Sequence, residues 1–175
     1  RRRARARIYN ALCDWDGRDD WSDWSEIERE HKVWTIPAQR IKAKREHRIP
    51  LSDRAIEILR GLERGPLSRL VFTRPGDQAH LSNDAMLALL DRMERGDITT
   101  HGFRSTFKDW ASEQTSFAPE VSEMALAHAV SDKVEAAYRR GDMFEKRRRL
   151  MDSWAEYCDF SRPATKVTAI NRATA

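Results

Sequence analysis

The stretch TTHGFRSTF, residues 99–107, sets a histidine and an arginine three residues apart, His101 and Arg104. At the start of a helix, that spacing puts an imidazole and a guanidinium on one face. A satisfied pair on a solvated face and a site built to hold a phosphate both fit. The sequence holds further groups of this kind. LAHAV supplies His128, EAAYRRGD supplies Tyr138 ten residues later, and a basic stretch upstream holds Lys42 and Lys44. Singly, each has an ordinary structural explanation. His101 can stabilise a helix start. Tyr138 can be a core tyrosine, as Tyr9 and Tyr157 are expected to be. Lys42 and Lys44 can be edge-strand charges that block aggregation. The specific signal is the ordered conjunction of HxxR, LxH and a tyrosine one short helix later.

These residues must be positioned by elements that the pattern predicts. KVWTIPA and HRIPLS form a β-hairpin, with Pro37 and Pro50 confined to strand ends or edges. Ser52 caps a helix over DRAIEILRGLE, whose stripe is Ile56, Leu59 and Leu62, with Ile58 nearby. LVFTRPGDQ reads as a short strand with a turn at Pro75 and Gly76. Ser82 caps a helix over NDAMLALLDRME that ends at Gly96. Beyond His101 the chain reads as helices over 102–114, 119–127, 132–139 and 142–158. The expected fold is mainly α with a small antiparallel β-sheet, an α+β class. Residues 1–23 show no trustworthy periodicity, 24–160 form one domain, and 161–175 form a loose tail. There are no internal repeats.

Composition narrows the function. At 175 residues the chain suits one domain with a real core. No apolar run approaches the ~20 residues that span a bilayer, and RRRARAR is followed by no signal-peptide apolar segment. Cys13 and Cys158 are the only cysteines, too few for a disulfide framework or a zinc site, which suits the cytoplasm. The net charge of +4 and pI near 9.3 lean towards anionic partners. Two basic groups strengthen that lean: Arg40, Lys42, Lys44, Arg45, His47 and Arg48, then Arg139, Arg140 and Lys146 to Arg149. No glycine-rich phosphate loop, HExxH or paired CxxC occurs, so nucleotide-fold and zinc-hydrolase chemistries are excluded.

From about Trp24 to Cys158 the sequence resembles the catalytic domain of tyrosine recombinases, the phage integrase family, in wording nearest to prophage and genomic-island integrases. The resemblance runs through WSEIEREHKVWTIPAQRIKAKREHRIPLS, VFTRPG, THGFRSTFKDWASEQT and LAHAVSDKVEAAYRRGDMFEKRRRLMDSW. It implies that Tyr138 is the nucleophile forming a 3′-phosphotyrosyl link. Arg104 is then the second of two phosphate-clamping arginines. His101 assists proton transfer and bonds the phosphate, His128 contacts a phosphate oxygen, and Lys42 protonates the leaving 5′-oxygen. Lys44, two residues on, can share a strand face with Lys42. Lys44, Arg45, Arg139 and Arg140 are implied DNA contacts.

The residue types suit that chemistry. A phenol of pKa ~10 is a poor nucleophile unless its proton is taken or its charge stabilised. Fixed arginines can stabilise charge gathering on an attacked phosphodiester, and a lysine can serve the leaving oxygen as general acid. The tyrosyl ester conserves the bond, so neither cofactor nor metal is implied. The implied partners are double-stranded DNA attachment sites, with a homotetramer on DNA, and neither a membrane nor a small-molecule substrate. The implied location is the bacterial cytoplasm, with the nucleoid.

The sequence departs from the family at its first clamp arginine, expected in a segment like RxGEvxxLxW. Here WDGRDDWSDW has Trp15 in the arginine's place, Gly17 at the motif glycine and Arg18 at the glutamate. The change of texture at residue 23 suggests an out-of-frame or decayed segment, and reading the other two DNA frames tests it. Losing one clamp donor costs about 3–4 kcal/mol by analogy with an oxyanion hole, so a weak or inactive recombinase is expected. The family's N-terminal DNA-binding domains are not in this sequence, and poor DNA binding by this chain alone is expected. Two alternatives are an inactive DNA-binding remnant and a type IB topoisomerase-like enzyme.

Overall fold

A computed structural model describes residues 22–41, 44–62, 69–73, 81, 84–128 and 141–159. Its order is β1 (Ile27–Glu28), β2 (Val33–Ile36), β3 (His47–Pro50), α1 (Asp53–Arg60), α2 (Ala85–Arg92), α3 (Thr100–Glu113), α4 (Pro119–Ala125) and α5 (Phe144–Asp159), with 3₁₀ turns at Trp24–Glu26 and Ala38–Arg40. The mainly helical architecture with a small antiparallel sheet is as expected.

The sheet has the order β1-β2-β3, all antiparallel, with Trp34 opposite both Ile27 and Ile49. Pro50 pairs with Val33 at the end of the edge strand β3, where a missing N–H is tolerated. The two-residue β1 was not anticipated, because so short a strand carries no alternation to read. Residues 29–32 turn it into β2, and Lys32 takes the left-handed conformation at φ 54°. Residues 70–73 were expected as a strand, yet Asp23 meets Leu70 only in an isolated bridge. Two backbone bonds, Trp24 to Arg69 and Val71 to Ser22, hold this segment beside residues 22–24 instead.

Ser52 caps α1, its hydroxyl accepting from the Ala55 N–H at 3.3 Å, and Ile56, Leu59 and Leu62 are buried, as their spacing requires. They join Trp34, Ile36, Ile49 and Phe72 in one apolar core beneath the sheet. Helix α2 differs from expectation: Asp84 precedes it, Arg92 ends it, and Glu94 at φ 57° turns the chain before Gly96. Ser82 lies outside the described residues.

A second core joins α3, α4 and α5 through Phe107, Trp110, Ala111, Val121, Leu126 and the fully buried Leu150. Trp154 meets Phe107 edge to face at 5.4 Å and Trp110 at 5.0 Å. Helix α5 also packs against β3 and α1, which ties the two cores together. The expected helix over 132–139, the segment 1–21 and the tail 161–175 lie outside the described residues. Among the described residues, no helix is long and apolar enough to cross a membrane.

Candidate active site

Helix α3 begins at Thr100, two residues before the expected start at 102, because Thr99 caps it. Thr99 is extended, and its hydroxyl accepts from the Gly102 N–H at 3.1 Å. His101 follows in the first turn, exposed. The first N–H groups of a helix favour nearby anions. Arg104, one turn on, is only 6% exposed because it shares the buried face of Phe107 and Ala111. Its Nη2 donates to the Leu126 carbonyl at 2.7 Å. The HxxR helix is thereby bonded to the LxH segment.

That segment is itself a helix end of defined geometry. Past α4, Ala127 takes the left-handed conformation at φ 52°. Its N–H donates to the Met124 carbonyl at 3.1 Å, and the His128 N–H donates to the Glu123 carbonyl at 3.0 Å. This pair of bonds is a Schellman motif, usually built on glycine. It turns the chain so that His128 emerges exposed. Its Nδ1 meets Glu123 Oε2, whose other oxygen takes Lys108 Nζ at 2.6 Å. Lys108, then His128, hold the Glu123 carboxyl below the usual range against the opposing effect of burial.

Lys44 and Arg45 are exposed in the turn before β3. Lys44 is not on a strand, as a shared face with Lys42 would require. Its φ is 52°, and its N–H bonds back to the Ile41 carbonyl at 2.9 Å. Lys42, Tyr138, Arg139 and Arg140 lie outside the described residues. The structure thus brings Arg104 and the His128 segment into direct contact and places His101 one turn from Arg104.

Several contributors escaped the sequence reading. The basic groups are not uniform charged faces. Arg40 pairs with Glu26 in a half-buried bridge, and Arg48 donates to Asp142 at 3.0 and 2.7 Å. Arg147 is 1% exposed. Its Nε donates to the Asp142 carbonyl at 2.7 Å, its Nη1 to the Arg48 carbonyl at 2.6 Å, and its Nη2 lies 3.1 Å from Asp142 Oδ2. A guanidinium can serve three acceptors in a fixed plane, which suits it to this buried junction. The signal was present: Arg147 is three and seven residues before Leu150 and Trp154, on their face. Burial opposes ionisation of Asp142, but Arg48 and Arg147 hold its carboxyl below the ordinary value. Beside them His47, on β3, bonds the Ala125 backbone, and burial followed by the Arg147 charge pushes its pKa down to about 4. Among the described residues, no group of histidine, cysteine and carboxylate side chains could hold a metal ion.

The arrangement offers a half-exposed imidazole, a helix start bearing a second imidazole, and a guanidinium fixed between them in sequence and bonded to the first one's loop. Such a set suits an oxyanion. Comparison with known proteins shows what the chain is similar to. The chain is 37% identical over 138 residues to the prophage integrase IntA of Escherichia coli K12, covering 76% of this chain and 33% of that protein. It is 33% identical to prophage integrase IntZ of the same strain, over 78% of this chain and 34% of that one. The integrase of Shigella phage Sf6 is 30% identical over 78% of this chain and 36% of its own. The chain therefore spans about a third of the length of these relatives. No family model matches it. In structure, an integrase from mycobacterium phage Brujita superposes with a TM-score of 0.62 at 18% identity, covering 87% of this chain and 51% of that one, a likeness of fold.

Proposed function

Since the chain is a domain of the phage integrase family, we propose that it is the strand-cleaving domain of a site-specific recombinase, acting on double-stranded DNA attachment sites to integrate or excise a mobile element. The observation that carries this is the bond from Arg104 to the Leu126 carbonyl, which joins the HxxR helix to the LxH turn. Two motifs matched in sequence are thereby parts of one place in space.

In this reading the Tyr138 oxygen attacks a phosphodiester phosphorus and the bond to the 5′-oxygen breaks, leaving a 3′-phosphotyrosyl ester and a 5′-hydroxyl. Arg104, His101 and His128 bind the phosphate oxygens as charge gathers on them. Lys42 gives its proton to the departing 5′-oxygen, and His101 assists proton transfer. A 5′-hydroxyl of another strand then attacks the ester and releases Tyr138. Lys44, Arg45, Arg139 and Arg140 contact the DNA backbone, where positive charge supplies affinity without sequence choice. The acting species on DNA is a homotetramer in the cytoplasm.

Trp15 in place of the first clamp arginine supports a slow enzyme, and in the extreme an inactive remnant that only binds DNA. A nicked attachment-site duplex, which traps the cleaved state, separates the readings. The slow enzyme gives a low yield of covalent adduct from the parent chain and none from Tyr138→Phe. Adduct from neither protein leaves the remnant reading. Relaxation of supercoiled DNA without a specific site would instead mark a type IB topoisomerase.

A further inference from the structure

We infer that Glu123 is a positioning residue for His128, fixing which ring nitrogen faces the DNA, and that Lys108 in turn fixes Glu123. His128 is tied to Glu123 twice. Its backbone N–H donates to the Glu123 carbonyl at 3.0 Å, and its Nδ1 meets Glu123 Oε2. The carboxylate is held from a different helix, by Lys108 Nζ on Oε1 at 2.6 Å. Lys108 is anchored as well, donating to Ser122 Oγ at 2.9 Å, while the 2% exposed Ser122 donates to the Pro119 carbonyl at 2.8 Å. Backbone, carboxylate, ammonium and hydroxyl form one connected chain from α3 to His128.

An isolated half-exposed ion pair contributes little, and the Glu123–His128 pair is about two-fifths exposed. Two features distinguish it. The left-handed Ala127 and the double tie fix the ring's origin, and the carboxylate is itself immobilised by Lys108. A carboxylate accepts only, so Nδ1 must carry a hydrogen. Nε2 is then the nitrogen left for substrate. It accepts when the ring is neutral and donates to a phosphate oxygen when the ring carries its second proton. Hydrogen bonding at one ring nitrogen sets the role of the other.

This inference rests on His128 being a phosphate ligand, and one set of spectra separates the two. The full chain, labelled with ¹⁵N-histidine, reports the His128 tautomer through long-range ¹H–¹⁵N correlation at mildly alkaline pH. A short attachment-site duplex is then added. In the parent, the Nδ1–H tautomer should predominate and the Nε2 resonance should move with DNA. Glu123→Ala should shift the tautomer ratio towards Nε2–H by about tenfold or more, the scale of a hydrogen bond to a charged group. Lys108→Met should shift it the same way by less. The backbone spectrum checks that each variant is folded. An unchanged tautomer in folded Glu123→Ala overturns the inference whatever DNA does. A tautomer that follows Glu123 while DNA leaves Nε2 unmoved overturns the phosphate-ligand reading, and with it the role given to Glu123.

Discussion

Arg104 donates from Nη2 to the carbonyl of Leu126, 22 residues away and two before His128, at 2.7 Å in a buried setting. The bond satisfies one of the carbonyls that a helix end leaves without an intrahelical partner. It also sets the direction of the guanidinium and the path of the turn together.

Arg104→Lys should therefore damage structure and chemistry at once. An ammonium on a flexible stem cannot reproduce a planar fork. The expected loss is about 1–2 kcal/mol of unfolding free energy in urea, with covalent adduct falling below detection. Unchanged stability would mean that the Leu126 contact does not hold the turn.

Ala127 sits at φ 52°, where an L-residue with a Cβ is strained by about 1–2 kcal/mol. Glycine has no such strain but loses more freedom on folding. Ala127→Gly should stabilise the chain by about 0.5–1 kcal/mol, seen as a higher urea midpoint at unchanged slope.

His47 makes stability depend on pH. With its folded pKa pushed down to about 4 and an unfolded value of ~6.5, the unfolded chain binds the extra proton between those limits. Stability from this group is full above the upper limit and falls as pH drops towards 4, by at most about 3 kcal/mol. The groups acting on it are Arg147 and Asp142. His47→Gln should flatten the profile in that window. The lowered carboxyls of Asp142 and Glu123 lose their contribution as pH falls through their own lower range.

Arg147→Met removes the bond from α5 to the Arg48 carbonyl of β3 and two bonds to Asp142, and leaves Arg48 and Asp142 to each other. Breaking a fully buried pair costs about 3–5 kcal/mol. Because Asp142 is 41% exposed, about 2–3 kcal/mol is expected here, measured by urea unfolding. A loss within experimental error would show that packing alone fixes this junction.

Legibility in the sequence followed locality. The cap at Ser52, the stripe of Ile56 and Leu59, and the pairing of residues 33–36 with 47–50 are set by near neighbours, so patterns announce them. Arg147 was read within a basic run, although its phase with Leu150 and Trp154 placed it inward. Glu123 lies five residues before His128, and only the left-handed Ala127 brings their side chains together. Lys108 reaches Glu123 across two helices, a contact no local spacing signals. The strand expected at 70–73 was apolar enough, but it bonds residues 22–24 rather than the three-stranded sheet.

The most direct test is the identity of the DNA-linked residue. The chain is incubated with a nicked attachment-site duplex, digested with trypsin, and the nucleotide-bearing peptide sequenced by mass spectrometry. The account predicts a low yield of one adduct, on the peptide spanning 134–139, with the nucleotide on Tyr138. A linkage at any other residue, or a high-yield adduct from a chain with tryptophan at position 15, would contradict it.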